Sequence, residues 1–490
     1  MSNLSELLPS GGGQNAVDFV ASGTLSSGQA VALKTDGTVA AISATANPAG
    51  VGSLTAFTSN ETSRATAVYD VASQKIVIAY RDDGNSSYGT AIVGTVSGTS
   101  ISFGTAVVFA SGNADGKSIV YDANAEKVVI AYQDRGNSSY GTAIVGTVSG
   151  TSISFGSATV FNTANSVDIG AAYDSTAQKV VVSYRDVGNS GYGTAIIGTV
   201  SGTSISFGSE TVFESASADT TSAVYDPDQN KTIISYRDRG NSNHGTAIVG
   251  TVSGTSISFG SAAVFNAGST GSIVSTYDTT NNKVVIGYQD GGNSDAATAI
   301  VGTVSGTSIS FGSEATASTE LTAPIGMTFD SGSGKVVFVY RDFVGGATNG
   351  TLNEGTVSGT SITFGSKVVW TTDNPSAYAE SGSSATYDST LGRAVIVSGF
   401  GYPINAGKAV VYKGEGSNNT DFIGITASAI ADTATGSVNT FGGINEAQSG
   451  LTIGADYYVQ DDGSLSTTAS SVKVGQAISA TTINMMDLKL

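Results

Sequence analysis

The residue types best suited to chemistry in this sequence recur together as a group. An Arg-Asp or Gln-Asp pair is followed by Gly-Asn-Ser and then by an aromatic residue. Arg and Asp side chains can hydrogen-bond the hydroxyl groups of a sugar, and an exposed Tyr can stack on a sugar ring. The pattern therefore predicts a ligand-binding face. Its candidate residues are Arg81, Asp82, Tyr88, Asp134, Tyr140, Arg185, Asp186, Tyr192, Arg237 and Asp238.

A structural role for the same residues stays open at this point. Arg and Asp could pair between neighbouring repeats, and Asp-x-Gly-Asn could simply form a turn. Because the group recurs in nearly every repeat, no copy stands out as a site used once. The segments that connect the repeats do vary, for example residues 110–117 against 162–168. A diversified binding surface would vary in this way, and so would unconstrained loops.

Catalytic and metal-binding chemistry has little support in the composition. The chain has no Cys and a single His, His244, which occupies a position that other repeats fill with Tyr. Disulfides, thiolate zinc sites, cysteine nucleophiles and multi-histidine metal centres are therefore excluded. Asp226-x-Asp228-x-Asn230 has the opening spacing of a calcium loop but lacks the following Gly and the distal Glu. We expect no catalytic residue, metal or cofactor, although the many carboxylates leave a glycosidase pair open.

Internal repetition must position these residues, and it dominates the sequence. The pattern Tyr-Asp, a short turn, Lys-Val-Val-Ile-x-Tyr and Arg/Gln-Asp recurs in seven units, and nearly verbatim blocks such as residues 142–156 lie between them. The first aromatic residue of each unit serves as a marker. Successive markers lie 52 residues apart until a last step of 58. The markers are Tyr69, Tyr121, Tyr173, Tyr225, Tyr277, Phe329 and Tyr387.

Each unit has the pattern of four short strands. Residues 127–132 are apolar on both faces, which is typical of a buried strand. Residues 152–155 alternate Ser with Ile153 and Phe155, which is typical of an outer strand half exposed to water. Four strands in about 50 residues, repeated seven times, predict a seven-bladed β-propeller. A β-solenoid, with shorter coils and end caps, is the alternative.

The spacing of one Phe suggests how the array closes. In the second to fifth repeats an outer-strand Phe precedes the next marker by 12 residues, and Phe57 precedes Tyr69 by the same distance. The last unit ends after its third strand, at residues 409–412. We therefore expect residues 51–57 to supply the strand that the last unit lacks and to close a ring.

The two flanks of the repeat array resemble each other. Residues 25–39 follow the pattern L-x-x-G-x-x-h-x-h-x-x-D-G-x-h, where h is apolar, and residues 451–465 repeat it at an offset of 426, including Asp462. Each copy predicts a hairpin with an Asp-Gly turn. We expect residues 17–48 and 420–490 to form one small split β-sandwich or barrel-like domain, with the propeller, residues 49–419, inserted between its halves. Two unrelated hairpins are the alternative. Residues 1–16 have the pattern of an extended arm.

Charge and hydropathy limit the partners. The formal net charge is −18, with 21 Lys and Arg against 39 Asp and Glu. Because nucleic-acid binding requires clustered cations, nucleic acid is a poor partner. No apolar run approaches the roughly 20 residues of a membrane span. The first residues have neither the basic region nor the apolar core of a signal peptide. We therefore expect a chain that starts in the cytoplasm and does not insert into a membrane.

Gly-rich segments of the flanks carry a family resemblance. Near the start they are Leu7-Leu8-Pro9-Ser10-Gly11-Gly12-Gly13-Gln14-Asn15, Phe19-Val20-Ala21-Ser22-Gly23-Thr24-Leu25 and Gly28-Gln29-Ala30-Val31. Near the end they are Gly450-Leu451-Thr452-Ile453-Gly454-Ala455-Asp456-Tyr457-Tyr458-Val459 and Lys473-Val474-Gly475-Gln476-Ala477-Ile478-Ser479. In these segments the chain resembles virion structural proteins of tailed phages, particularly marine ones. The resemblance implies a fibre, spike or decoration protein of the capsid or tail, often a trimer, with the split domain as its attachment base.

The sequence thus favours a non-enzymatic virion structural protein. Its arm and split domain would contact other virion proteins, and its propeller would bind host-surface glycans. A homo-oligomer, preferably a trimer, is expected, located on the virion after assembly in the host cytoplasm. A secreted or surface carbohydrate-binding adhesin and a glycan depolymerase are the alternatives.

Overall fold

The computed structural model describes residues 15–34, 36–42, 50–375, 385–400, 406–414, 422–460, 463–468 and 472–485. Side chains of residues 324 and 325 are not described. Throughout these ranges the protein is all-β, and helical structure is limited to short 3-10 turns. Within them no helix is long and apolar enough to cross a membrane. The chain divides into two compact units, one of Gly50–Gly414 and one that combines Met1–Ala49 with Glu415–Leu490.

The second repeat illustrates the sheet of the larger unit. Its strands are Val107–Asp122, Lys127–Asp134, Tyr140–Ser149 and Ser152–Phe155, and each pairs antiparallel with the next. The apolar core of the second strand is buried on both faces, as its uninterrupted apolar sequence predicts. In the fourth strand Ile153 is buried between exposed serines, so one face of this strand meets water.

Strands of the same rank recur along the repeats, and every first strand ends at the Asp after the marker although the first strands differ in length. The first strands are Thr62–Asp70, Val107–Asp122, Thr159–Asp174, Thr211–Asp226, Ala263–Asp278, Thr322–Asp330 and Ala385–Asp388. The second strands are Lys75–Asp82, Lys127–Asp134, Lys179–Asp186, Lys231–Asp238, Lys283–Asp290, Lys335–Val344 and Arg393–Phe400. The third strands are Tyr88–Ser97, Tyr140–Ser149, Tyr192–Ser201, His244–Ser253, Ala296–Ser305, Ala347–Ser358 and Ala406–Lys413. The fourth strands are Ser100–Phe103, Ser152–Phe155, Ser204–Phe207, Ser256–Phe259, Ser308–Phe311 and Ser361–Phe364.

Long first strands link one repeat to the next. The start of Val107–Asp122 pairs with the third strand of the first repeat, and its end pairs with the second strand of its own repeat. In the later repeats this connecting segment is a separate strand, at Ala315–Ser318 and Val368–Thr371. At the other end of the array, Gly50–Val51 and Thr55–Thr58 pair with Ala406–Lys413. The start of the array thus completes the sheet of the last repeat.

A glycine that ends the outer hairpin in the first five repeats allows neighbouring repeats to approach closely. A Cβ atom at Gly156 would lie 1.9 Å from the carbonyl oxygen of Thr203, in the corresponding turn of the next repeat. Gly104, Gly208, Gly260 and Gly312 have the same contact with the turn that follows them. The last residue of the nearly verbatim block is therefore required by packing between repeats.

The smaller unit contains two five-stranded sheets with the same strand order. The strands of the first sheet, from edge to edge, are Ala16–Val20, Thr435–Thr440, Phe422–Thr426, Ala30–Leu33 and Val39–Ala41. Those of the second are Ile444–Asn445, Ile483–Met485, Lys473–Ala477, Asp456–Val459 and Leu465–Ser466. The first sheet combines strands from both flanks, and Ala16, the last residue of the predicted arm, already belongs to it. Residues 1–14 of that arm lie outside the described residues.

The two sheets also agree in register. Leu33 pairs with Val39, and at the offset of 426 Val459 pairs with Leu465. Both sheets carry a bulge at the same place, next to Gly424 in the first sheet and next to its counterpart Gly475 in the second. Both flanking patterns therefore form hairpins, although Asp462 in the second turn lies outside the described residues.

Candidate functional site

The predicted residues lie where second strands end and third strands begin. Asp82 ends its second strand and faces Tyr88, which begins the third strand and also pairs with Asn113 of the following long strand. The same pairing recurs for Asp134 with Tyr140, Asp186 with Tyr192, and Asp238 with His244. The aromatic residues are half-buried. Each of these four repeats therefore brings its Asp and its aromatic residue together, beside the segment that begins the next repeat.

A bulge shapes the neighbouring first strands at the same level. The register of these strands shifts at equivalent positions of the first five repeats. The bulged residues have positive φ, in the left-handed region, although most are not glycine; they are Arg64, Gly116, Asp168, Thr220 and Ser272. Non-glycine residues pay a cost in this region, and bulges redirect side chains. The sequence pattern gave no indication of this bulge.

Two of the four predicted carboxylates stabilise the turns. Asp186 accepts hydrogen bonds from the backbone N–H groups of Gly188 and Asn189, and Asp238 caps its own 3-10 turn in the same way. Asp82 instead accepts a hydrogen bond from the side-chain amide of Asn60. All three Asp residues are buried. The turn-forming role that the sequence left open is therefore present at Asp186 and Asp238.

The predicted arginines pair with Asp residues of the bulged strands. Arg237 donates two hydrogen bonds to Asp219, with N–O distances of 2.6 and 2.7 Å, and Arg239 donates a third at 2.5 Å. Burial by itself would raise the pKa of Asp219, but the hydrogen bonds and charges of the two arginines outweigh it and lower the pKa. Arg185 lies 3.9 Å from Asp168. These pairs fix the guanidinium groups in place.

A larger ionic cluster lies between the first and second repeats. The carboxylate of Asp115 is fully buried and contacts Arg64 at 2.5 Å, Arg135 at 2.8 Å and Arg81 at 3.3 Å. Lys117 is buried beside it and donates a hydrogen bond to the Arg64 carbonyl oxygen at 3.2 Å. Burial lowers the pKa of Lys117 to about 7, although the charge of Asp115 opposes this shift. Sequence reasoning missed this cluster, because Lys117 has no lysine counterpart in the neighbouring repeats and Asp115 recurs only as Asp219.

Asp134 is the exception among the predicted carboxylates. It is partly exposed, whereas its counterparts at the ends of the other second strands are buried. No side-chain partner contacts it within the described part of the chain, and its turn is closed by a backbone hydrogen bond from Asn137 N to Asp134 O at 3.0 Å. Asp134 therefore keeps an available carboxylate. Across the residues described, no group of His, Asp and Glu is arranged to hold a metal ion.

Comparison with known proteins relates the fold to lectins. No family model matches the sequence, and no curated protein is similar to it. The fold is similar to that of the BP39L lectin of Burkholderia pseudomallei, with a TM-score of 0.50, 10% identity, and coverage of 73% of this chain and 96% of the lectin. A leech intramolecular trans-sialidase gives a TM-score of 0.42, with 7% identity and coverage of 82% of this chain and 97% of the trans-sialidase. The likeness to the lectin shows the fold alone, an all-β, propeller-like arrangement of sheets.

Proposed function

We propose that this protein is a non-enzymatic, glycan-binding structural protein of a tailed-phage virion. The repeats form a seven-bladed β-propeller that binds host-surface glycans. The propeller is inserted into the smaller unit, which attaches it to other virion proteins. The observation that carries the glycan-binding part is the lectin-like fold, combined with a recurring set of Arg, Asp and Tyr residues at one level of the repeats.

Three observations support seven blades in a closed ring. The sequence has seven markers, and residues 55–58 complete the sheet of the last repeat. First strands of successive repeats contact one another, and Ala385–Asp388 of the last repeat contacts Thr62–Asp70 of the first. A solenoid would leave its first and last repeats apart. Particle averaging of the purified protein by electron microscopy tests the count, since six or eight radial densities would contradict it.

The strand pairing supports the insertion. Gly50, at the start of the larger unit, pairs with Lys413 at its end. An inserted domain needs its two termini close together, and this pairing supplies that geometry. On the other side, residues 16–41 and 422–440 complete a single sheet of the smaller unit.

Glycan binding is tested on an array of immobilised oligosaccharides with the purified full-length protein. We expect specific retention by a subset of glycans, because carboxylate, amide and phenol groups at the repeat edge can exchange hydrogen bonds with sugar hydroxyls. A chain that binds no glycan on the array contradicts the proposal. Incubation with a bound polysaccharide tests the absence of catalysis, since shortened chains would identify a depolymerase.

The virion role is supported by the resemblance of the flanking segments to phage structural proteins. We expect the protein to be present in purified particles, attached through residues 1–16 and the smaller unit, and to be a trimer in solution. Cryo-electron microscopy of the intact particle would show the position and copy number of the protein. Its absence from the particle would contradict the virion role, and light scattering of the purified chain would test the trimer. A secreted adhesin would bind glycans equally well but would be absent from the particle.

A further inference from the structure

A buried tyrosine occupies the same position in successive repeats. Each second strand from the first to the fifth repeat carries one such Tyr, namely Tyr80, Tyr132, Tyr184, Tyr236 and Tyr288. Tyr184 donates a hydrogen bond to Glu210 at 2.8 Å, Tyr236 to Glu214 at 3.0 Å and Tyr288 to Glu314 at 2.8 Å. Tyr80 interacts with the hydroxyl of Thr58. A buried phenol usually requires such a partner.

Tyr132 has no such partner in the part of the chain that the structure describes. The two positions that supply the acceptor elsewhere, those of Glu210 and Glu214, are occupied in the second repeat by Ala158 and Ala110. Tyr132 is only 1% exposed, so its ring is as buried as those of its counterparts. Burial, and then the negative charge of Asp134, raise the pKa of its phenol, which therefore stays protonated as a hydrogen-bond donor.

A cavity of about 300 Å³ lies where these acceptors are missing. Its lining includes Phe109, Ala110, Tyr132, Asp134, Asn137 and Ala158. Gly112 and Gly136 add no side chain to its wall, and their backbones lie close together, since a Cβ atom on Gly112 would lie 2.9 Å from the Cα atom of Gly136. In the third repeat Ala164 stands at the position of Gly112. Its Cβ atom lies 2.4 Å from the place that a Cβ atom on Gly188 would occupy.

We propose that this cavity of the second repeat is the glycan-binding subsite, and that it takes a single neutral pyranose residue. The proposal rests on the proposed glycan-binding function and specifies where and what the protein binds. Three groups supply the polar contacts. Asp134 accepts from two neighbouring sugar hydroxyls, Tyr132 donates to a third sugar oxygen, and the amide of Asn137 does either.

Size and charge define the class of sugar. A volume of about 300 Å³ is at the lower limit for ligand pockets, which fits one sugar ring rather than a longer segment. Phe109 and the methyl groups of Ala110 and Ala158 provide an apolar wall for the C–H face of the ring. The carboxylate of Asp134 repels a second carboxylate, so sialic and uronic acids are disfavoured.

The repeats themselves provide the test variants. Ala158→Glu introduces the residue that the third repeat has at Glu210, so it gives Tyr132 an acceptor and fills the cavity; Ala158→Gln does the same without a charge. Ala262→Glu is the matched control, because Tyr236 of the fourth repeat already bonds to Glu214. Both alanines are exposed, so all three full-length variants should fold. Asp134→Ala removes the acceptor for the sugar without removing a protein contact.

Binding is measured by calorimetry with the best-retained array oligosaccharide and by repeating the array with each variant. We expect Ala158→Glu, Ala158→Gln and Asp134→Ala each to weaken binding at least tenfold, Ala262→Glu to bind like the wild type, and the retained glycans to end in neutral sugars. Wild-type affinity in both Ala158 variants would overturn this subsite while leaving glycan binding intact. Retention of acidic glycans alone would overturn the neutral class. Absence of all glycan binding by the wild type would instead refute the proposed function and the subsite with it.

Discussion

The second and third repeats have nearly the same sequence but different polar interiors. Residues 142–156 and 194–208 differ at a single position, Val145 against Ile197, and their strands pair in the same register. In the third repeat, Tyr184 and Asp186 are both satisfied within the protein. In the second repeat, the groups at the same positions face an open cavity. A repeat can therefore keep its scaffold unchanged while substitutions at its connecting segments decide whether polar groups are available to a ligand.

A buried lysine is the second respect in which the second repeat differs. Lys117 stands where the third repeat has Ile169 and the fifth has Ile273. Burial of an aliphatic residue at this position carries no desolvation penalty, whereas a buried lysine must lose its charge or its hydration. The charge of Asp115 compensates for only part of that loss, and Arg64 and Arg81 oppose it, so the pKa of Lys117 still falls to about 7.

The largest expected effect is a pH dependence of stability caused by Lys117. Its pKa is about 7 in the folded protein and 10.5 when exposed. Between these values the unfolded chain binds the additional proton, so the free energy of unfolding rises with pH, by up to about 1.4 kcal/mol per pH unit. Urea unfolding between pH 7 and pH 9 measures this slope, and Lys117→Ile should remove it.

The interpretation of that slope depends on the neighbours of Lys117. Asp115, Arg64, Arg81 and Asp83 are the charged groups that act on it. Carboxylates and guanidinium groups do not ordinarily titrate between pH 7 and pH 9. The change of stability with pH in this range is therefore due to Lys117. Tyrosines with raised pKa values affect stability only at higher pH and with the opposite sign. An equal slope in wild type and Lys117→Ile would show that Lys117 is not the titrating group.

The next effect compares the two Asp residues at the ends of second strands. Asp186→Ala removes a buried acceptor of two backbone hydrogen bonds, so it should lower the free energy of unfolding by about 1 to 2 kcal/mol. Asp134→Ala removes no such bond and should change stability by less than about 0.5 kcal/mol. Equal losses in the two variants, measured by urea unfolding at neutral pH, would show that the carboxylates have equivalent roles.

A smaller effect on stability is expected from exchanging the acceptor Glu210 with Ala158, the residue at its position in the second repeat. Glu210→Ala leaves the phenol of Tyr184 without its partner, and we expect a loss of about 1 kcal/mol because water reaches only part of this site. Ala158→Glu is the reverse change in the second repeat and should raise the unfolding free energy. Thermal unfolding of the two variants should therefore shift in opposite directions, and shifts in the same direction would contradict the comparison.

Removal of the two tyrosine hydroxyl groups should distinguish the repeats by no more than the preceding pair of variants. Tyr184→Phe should cost about 1 kcal/mol, because it removes a hydrogen bond and leaves its acceptor in place. Tyr132→Phe should change stability by less than about 0.5 kcal/mol, because the hydroxyl has no protein partner among the described residues. Calorimetric unfolding of both variants measures the difference, and a large loss in Tyr132→Phe would reveal a partner.

Much of the fold could be predicted because its signals are local. Alternating Ser and Ile at residues 152–155, and the apolar run at 127–132, specify an outer and a buried strand within a few residues. The Asp36-Gly37 turn identified the first flanking hairpin in the same way. The second flanking sheet was only half recognised, because residues 473–477 and 483–485 match their counterparts in pairing register more than in sequence.

The candidate site was less predictable. The sequence located the polar loops and offered two roles for them, and the structure assigns Asp186 and Asp238 to the turn. The sequence provided no reason to choose Asp134 over its counterparts or to include Tyr132. A comparison of Ala158 with Glu210 and of Ala110 with Glu214 contained that signal, but its meaning depends on knowing that these residues contact the tyrosine.

The sequence by itself determined the period, the type of each strand and the hairpins, because backbone preferences and alternating burial act over a few neighbouring residues. Only the tertiary structure decided which polar groups are satisfied. Tyr184 and Glu210 are 26 residues apart, and Tyr236 and Glu214 are 22 apart, with each pair joined across different strands. Such pairs form only when the sheet brings distant segments together. For the same reason, only the folded sheet shows that Tyr132 has no such partner among the described residues.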